Sequence, residues 1–299
     1  MKIIYGIKEV RDLSKSLNTG FVPTMGALHK GHISLIQKSL EENEETIVSI
    51  FINPTQFSPG EDYVHYPKTL EQDLEILEKL KVTSVFVPRS DEIYHSDFNI
   101  TLGVPSLENL LCGATRPGHF RGVCLILMIL LNLLKPQRLY LGRKDFQQLT
   151  IIQKMCRDLL IDTEVIGCPI FRDHDGLPLS SRLAYLDSSL RSAVSLFPKA
   201  LSAIIQNIDN GNQDSVYLKE IFISLIKREK SPFYEILYAD FYNKETLQPI
   251  DDVKKSIFCA ALMVKTLEKS VRLIDNIPFE ISSYYPQSEK NILLKCIES

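Results

Sequence analysis

The sequence predicts an α/β fold, a doubly wound parallel-sheet domain followed by a smaller α+β domain, on three observations. Short apolar runs of strand type alternate with amphipathic helical stretches over residues 19–170, and such alternation builds a parallel sheet covered on both faces. One run, TIVSIFI at residues 46–52, is continuous and β-branched, the pattern of a strand buried on both sides. Beyond residue 172 the pattern gives way to a polar loop, then to helices and longer strand-like segments.

Taken in order, the start MKIIYGIKEVRDL reads as a strand, with no long apolar segment or small-residue cleavage site of a signal peptide. TGFVPT is a short strand. HKGHISLIQKSLEE is an amphipathic helix, its apolar residues Ile33, Leu35, Ile36 and Leu40. TLEQDLEILEKL is a helix with Leu70, Leu74, Leu77 and Leu80 on one face, and SVFVP is a strand. The most apolar run, GVCLILMILLNLL at residues 122–134, falls short of the roughly 20 residues that span a bilayer and reads as a buried core helix. Strand RLYLG, helix DFQQLTIIQKMCRDLL and strand EVIGCPI follow. In the second part RDHDGLPLSSRLAYL is a polar loop, SLRSAVSLFPKALSAIIQNI is helical, and PFYEILYADFY and SIFCAALMVK are strands. EISSYYPQSEKNILLKCIES is a peripheral tail.

The 299 residues suit two domains. The boundary falls at the polar loop, giving residues 1–172 and 173–299. A net charge of −3, from 34 basic and 37 acidic residues, argues against a general nucleic-acid binder. Six cysteines, at 112, 124, 156, 168, 259 and 296, form no CxxC pair and mostly lie in apolar runs. They read as reduced core thiols of a cytoplasmic protein, not as disulfides or zinc ligands.

Four clusters carry candidate chemistry. In PTMGALHKGH, His29 and His32 lie three apart at the start of a helix, where free N–H groups and the dipole favour anions. Gly26 and Gly31 allow a ligand close to the backbone, and the set suits a phosphate on which charge develops. The plainer alternative is two surface histidines. In SIFINPTQF a buried strand runs into Asn53 and Gln56, amides placed for a small polar ligand; an ordinary Asn-Pro turn is the alternative. In GRKDFQQL, Lys144 and Gln148 share a helix face, suited to phosphate charge and to a hydroxyl or carboxylate, unless Lys144 is merely solvated and Asp145 a cap. In LPLSSR, two hydroxyls and Arg182 suit phosphate contacts, unless the loop is only a linker. GATRPGHFRGV adds Arg116, His119 and Arg121 near a helix start, again anion-friendly. His65, His95 and His174 read as surface residues without a partner pattern.

In this order PTMGALHKGH, SIFINPTQF, YPKTLEQDL, RPGHFRGV, GRKDFQQL, DGLPLSSR and RLIDN resemble the pantoate–β-alanine ligase (pantothenate synthetase) family of the nucleotidylyl-transferase class. The resemblance implies a Rossmann-like domain binding nucleotide and pantoate, with residues 173–299 as a C-terminal lid domain. It implies a two-step ligation in which pantoate attacks the α-phosphate of ATP and β-alanine then displaces AMP. By resemblance His29 and His32 contact ATP phosphates, with His32 the proton donor, and Lys144 and Arg182 stabilise the α-phosphate. Met25, Gly26, Ala27, Leu28, Lys30 and Gly31 complete the histidine loop of the ATP site. Gly142, Arg143, Asp145, Phe171 (through its backbone), Leu179, Ser180 and Ser181 join it. Gln56 and Gln148 hold pantoate, with Gln56 also near β-alanine; Asn53 and Arg116 are further substrate-binding candidates. Magnesium bridges phosphates, needing few protein ligands, with Asp73 its carboxylate. The family is usually a homodimer, and the apolar helix and NITLGV, read as a strand, could supply the interface. Lys68, Leu125, Ile129 and Leu183 depart from the family's usual arginine, threonine, lysine and asparagine. Two other readings stay open: a related transferase that releases a nucleotide-linked product, and a binding protein without catalysis.

Overall fold

The computed structural model describes residues 1–13, 18–58, 61, 63–228, 234–265 and 270–278. The chain forms two compact units, one of Met1–Arg143 and Gln147–Cys168, the other of Lys144–Phe146 and the residues from Pro169 onward. In chain order the first part contains β1 (Lys2–Ile4), α1 (Ile7–Leu13), β2 (Thr19–Thr24), α2 (Lys30–Glu42), β3 (Glu45–Ile50) and α3 (Leu70–Lys79). Then come β4 (Ser84–Phe86), the short α4 (Ser90–Ile93) and α5 (Leu111–Ala114), α6 (His119–Leu134), β5 (Arg138–Gly142), α7 (Phe146–Asp158) and β6 (Glu164–Cys168).

The strands form one six-stranded parallel sheet in the order β1-β4-β3-β2-β5-β6. From β2 the chain moves outward through β3 and β4 on one side and through β5 and β6 on the other. The switch of direction therefore falls between β2 and β5, and in such sheets ligands bind beyond the carboxyl ends at that point. Val22, Val48, Ile50, Val85 and Tyr140 pack on one face with Leu35 and Ile36 of α2 and Leu77 of α3. By alternation Phe21, Ile47 and Leu139 point to the other face, and they too are buried. α6 is apolar nearly all round and buried along most of its 16 residues, the core helix its composition predicts. Among the described residues no helix is long and apolar enough to cross a membrane.

The second part adds α8 (Ser188–Val194), α9 (Leu196–Asp209), α10 (Ser215–Arg228), β7 (Tyr234–Asn243), β8 (Ser256–Lys265) and β9 (Ser270–Pro278). The three strands pair antiparallel in the order β7-β8-β9. Phe222 lies 5.2 Å from Phe258 and Phe241 5.0 Å from it, ring centre to ring centre, in a core shared with α8, α9 and α10. Asp275 of β9 and Arg172 form an ion pair whose side chains are fully buried, Nη1 to Oδ2 2.6 Å and Nη2 to Oδ1 2.9 Å.

Two expectations need correction. Of the opening stretch read as a strand, Lys2–Ile4 is strand but Ile7–Leu13 is the helix α1. NITLGV forms no strand. The helical stretch after residue 187 is two helices, divided at Ser195, with Pro198 in the first turn of α9 where its missing N–H costs nothing. α10 was not anticipated, because its tyrosine, phenylalanine and isoleucines make its segment look as much like a strand as a helix. The tail expected at residues 280–299, with Cys296, lies outside the described residues. The other five cysteines are buried. Burial pushes the Cys124 thiol up to about 12 and those of Cys156 and Cys168 to about 11, so they are inert thiols at neutral pH.

Asp275→Ala leaves Arg172 buried without its carboxylate and should cost about 3–5 kcal/mol, the scale of a broken buried pair. Urea unfolding, followed by a probe in the second unit, checks this; an unchanged midpoint would show that the pair does not hold that unit together.

Candidate active site

β2 ends at Thr24, and the chain turns at once into Met25–His29. Gly26 (φ 80°) and Ala27 (φ 51°) are both left-handed. That turn aims the N–H groups of Ala27 and Leu28 at Asp73, at 2.9 Å to Oδ2 and 2.8 Å to Oδ1. Thr69 Oγ1 donates to the same carboxylate at 3.0 Å. A Cβ at Gly26 would sit 3.0 Å from Asp73 Oδ2, in a backbone region that L residues rarely adopt, so glycine is required here. Asp73 is only 2% exposed and its oxygens already accept three donors. It does not fit the magnesium-ligand role expected of it and is instead the anchor of the histidine loop.

His29 is the N-cap of α2, not its first residue, because its imidazole takes over a capping role. His29 Nδ1 accepts the Gly31 N–H at 3.1 Å, and His32 Nδ1 accepts the His29 N–H at 3.4 Å. This reciprocal arrangement satisfies two orphan donors of the helix start. The rings stack with centres 4.0 Å apart and planes 27° apart. A ring nitrogen that accepts carries no proton, so each neutral imidazole holds its hydrogen on Nε2.

β3 ends at Ile50 and leads to a 3-10 turn, Pro54–Gln56, capped by Asn53. Asn53 is fully buried. Its Nδ2 donates to Gln56 Oε1 at 3.0 Å and to Gly122 O at 3.1 Å; its Oδ1 accepts from Thr55 Oγ1 at 2.9 Å and from Tyr94 OH at 2.7 Å. Gln56 Nε2 donates to Met25 Sδ at 3.0 Å. Arg116, buried, forms a bidentate pair with Glu61 at 2.6 Å for each bond, and its Nη1 lies 2.7 Å from His119 Nε2. Asn53 and Arg116 are therefore engaged inside the protein, and Gln56 is the half-exposed amide of this group.

β5 ends at Gly142, followed by the 3-10 turn Arg143–Asp145 and α7. The adjacent glutamines of α7 face different ways. Gln147 is buried and bonds Cys112 N, Leu107 O and Leu110 O, whereas Gln148 is half-exposed. In the second unit, Asn276 Nδ2 donates to the backbone carbonyl of Lys144 at 3.0 Å. There too the Phe171 carbonyl accepts the Leu179 N–H at 2.9 Å, closing a turn across Gly176 (φ 81°). Ser180 caps the short helix Ser181–Tyr185, and Ser180, Ser181 and Arg182 are half-buried. Arg172 Nη1 bonds Gly176 O at 3.0 Å, so the buried pair with Asp275 reaches this loop.

His65, His95 and His174 are exposed as expected; His95 lies 2.6 Å from Asp97 and His174 2.9 Å from Asp173. Among the described residues Asp173, His174 and Asp175 are grouped closely enough to share an ion. Arg191 already pairs with both carboxylates. Burial pushes Asp173 up, but hydrogen bonds from His174 and Arg191 outweigh it and hold it at about 2. Of the departures, Leu183 is buried in the second unit's core and Leu125 in α6; Ile129 is half-buried and Lys68 exposed. Tyr94, Glu61, His119, Asp275 and Asn276 were not among the functional candidates, except that His119 was expected near an anion. Only the motifs around them gave a signal, since each acts through a residue far away in sequence.

Paired imidazoles at a helix start and half-exposed amides, on loops at the carboxyl ends of parallel strands, define a nucleotide-phosphate-handling α/β protein. The family model for pantoate-beta-alanine ligase matches residues 2–278, and the chain belongs to that family. It is 41% identical to the pantothenate synthetase of Clostridium botulinum (strain Loch Maree / Type A3) over 286 residues, 94% of this chain and all of that protein. It is also 41% identical to that of Caldicellulosiruptor saccharolyticus over 287 residues, again 94% of this chain and all of that protein. The crystal structure of pantothenate synthetase from Thermus thermophilus superposes with a TM-score of 0.88 at 36% identity, covering 96% of this chain and all of that one. The pantoate-beta-alanine ligase of Francisella tularensis, complexed with beta-gamma ATP and beta-alanine, superposes with a TM-score of 0.73 at 36% identity over 94% of this chain and 98% of that one.

Asp73→Asn turns an NH2 group toward one of the two backbone donors and should cost about 1–3 kcal/mol, the scale of an unsatisfied buried group. Hydrogen exchange should show faster exchange at the Ala27 and Leu28 amides; protection equal to the parent's would mean the turn holds without this carboxylate.

Proposed function

We propose that this chain condenses (R)-pantoate with β-alanine to pantothenate, with ATP converted to AMP and pyrophosphate. The observation that carries the reading is the contact of the Gln56 amide with Met25, 3.0 Å apart. A side chain suited to a hydroxy acid borders the loop suited to phosphates. In the first step a carboxylate oxygen of pantoate attacks the α-phosphorus, the bond to the pyrophosphate oxygen breaks, and pyrophosphate leaves. In the second the β-alanine amine attacks the acyl carbon, AMP departs with the bonding electrons, and the amine gives up a proton.

In-line attack at phosphorus requires positioning and charge stabilisation more than covalent help. His29 and His32 meet the phosphates through Nε2–H, the hydrogen that the capping bonds leave on each ring, and His32 is the proton donor. Lys144 and Arg182 stabilise the α-phosphate. Met25–His32, Gly142–Asp145, Phe171 and Leu179–Arg182 line the nucleotide, and Gln56 and Gln148 hold pantoate, with Gln56 near β-alanine. Magnesium enters with the ATP phosphates, and no residue of this chain is assigned to it. The same reading takes the protein as a cytoplasmic homodimer, supported by the family likeness.

The test is a product assay with ATP, magnesium, pantoate and β-alanine, omitting one component at a time. AMP and pantothenate should appear only with all four. A stable nucleotide-linked product would point to a related transferase, and bound ATP without turnover to a binding protein. His32→Ala should keep the fold by circular dichroism and slow adenylation about 100-fold or more, the scale of losing one preorganised stabilising group; near-normal turnover would remove His32 from the mechanism.

A further inference from the structure

We infer that His119, oriented by Arg116 and Glu61, is a positioning residue for the acid substrate, acting through the backbone carbonyl of Gln56. This rests on the reading that Gln56 holds pantoate. His119 is 8% exposed and opens α6. Its Nδ1 lies 2.7 Å from Gln56 O, and its Nε2 lies 2.7 Å from Arg116 Nη1.

Those two neighbours settle the chemistry of the ring. A carbonyl only accepts and a guanidinium only donates, so Nδ1 carries the hydrogen and Nε2 the lone pair. The tautomer is opposite to that of His29 and His32. Arg116 is in turn immobilised, since Nε and Nη2 form the two parallel bonds to Glu61 and Nη2 also reaches Gln56 O at 3.4 Å. Bidentate geometry fixes the guanidinium plane as well as its place. The chain of restraint therefore runs from Glu61 through Arg116 and His119 to one carbonyl oxygen.

The first turn of α6 presses on the same loop from the side. A Cβ at Gly122 would lie 2.2 Å from Thr55 O and 2.6 Å from Gln56 N, so the helix and the loop meet backbone to backbone. The Gly122 carbonyl accepts from Asn53, whose same amide nitrogen also holds Gln56 Oε1. Gln56 is thus fixed at its carbonyl by His119 and at its side chain by Asn53. Its remaining amide nitrogen is left aimed at the Met25 end of the histidine loop. An error of about 1 Å in such placement costs on the order of 100-fold in rate. That gives a physical reason for a buried histidine and arginine where an anion-friendly pair was expected.

Steady-state kinetics of the full chain test this, with KM for pantoate and for ATP measured separately in His119→Ala, His119→Asn, His119→Gln and Gln56→Ala, alongside thermal unfolding. Asparagine places an amide N–H near the position of Nδ1; glutamine places it near Nε2. His119→Ala should raise the pantoate KM about tenfold, the scale of one lost hydrogen bond, with the ATP KM within about twofold. His119→Asn should recover most of that loss and His119→Gln should not. If the alanine variant does not fold, the asparagine and glutamine pair decides alone. Equal losses for both substrates that track the unfolding temperature, or an unchanged pantoate KM in a folded His119→Ala, would overturn the inference. An unchanged pantoate KM in Gln56→Ala would instead overturn the site reading beneath it.

Discussion

The turn at Gly26, Ala27 and Leu28 has two N–H groups that no strand or helix can satisfy, and both end on the buried carboxylate of Asp73. Other loops in each unit repeat that constraint. Residues at the carboxyl ends of parallel strands leave the hydrogen-bond ladder, yet their backbone groups still need partners. A loop that must also hold its side chains in place cannot leave that task to water. In the first unit Asp73 anchors the histidine loop, and Asn53 and His119 anchor the Gln56 loop. In the second, Arg172 ties its loop to Asp275, and Asn276 holds the Lys144 carbonyl. The half-exposed side chains suited to chemistry sit on backbone held by buried polar ones.

This division explains which parts of the molecule could be read from the sequence. TGFVPT and RLYLG became β2 and β5 with the same ends, because buried parallel strands write themselves as short apolar runs. The histidine pair was legible because its function is local: cap, ring stack and helix start lie within four residues. The anchors were not. Asp73 lies 46 residues from Ala27, Arg116 lies 55 from Glu61, and Arg172 lies 103 from Asp275. In sequence, a buried arginine holding a loop and an arginine waiting for a phosphate are the same letter in the same polar context. Only the carboxylate opposite tells them apart, and its position belongs to the tertiary structure. Gln147 and Gln148 make the point at one step: adjacent, identical, one bonding three backbone groups and the other facing out.

The departures from the family pattern follow the same logic. Leu183 and Leu125, where the resemblance leads one to expect polar residues, are buried here and add apolar surface to their surroundings. Lys68 is exposed, where loss of an arginine fork is tolerated most easily. None of the four coincides with an anchor or with a half-exposed residue assigned to the reaction.

Buried ion pairs are a weak way to gain stability, because removing two charges from water offsets much of their attraction. The Arg172–Asp275 pair is fully buried, and Arg116–Glu61 nearly so on the arginine side. A pair of well-packed apolar side chains could hold the same volume with less desolvation. It could not, however, direct an N–H at Gly176 O or orient the ring of His119 toward Gln56 O. Each arginine commits one edge to its carboxylate and another to a group of the loop it serves. What the pairs add is direction, which apolar packing does not supply, and direction is what a reaction governed by placement at phosphorus requires.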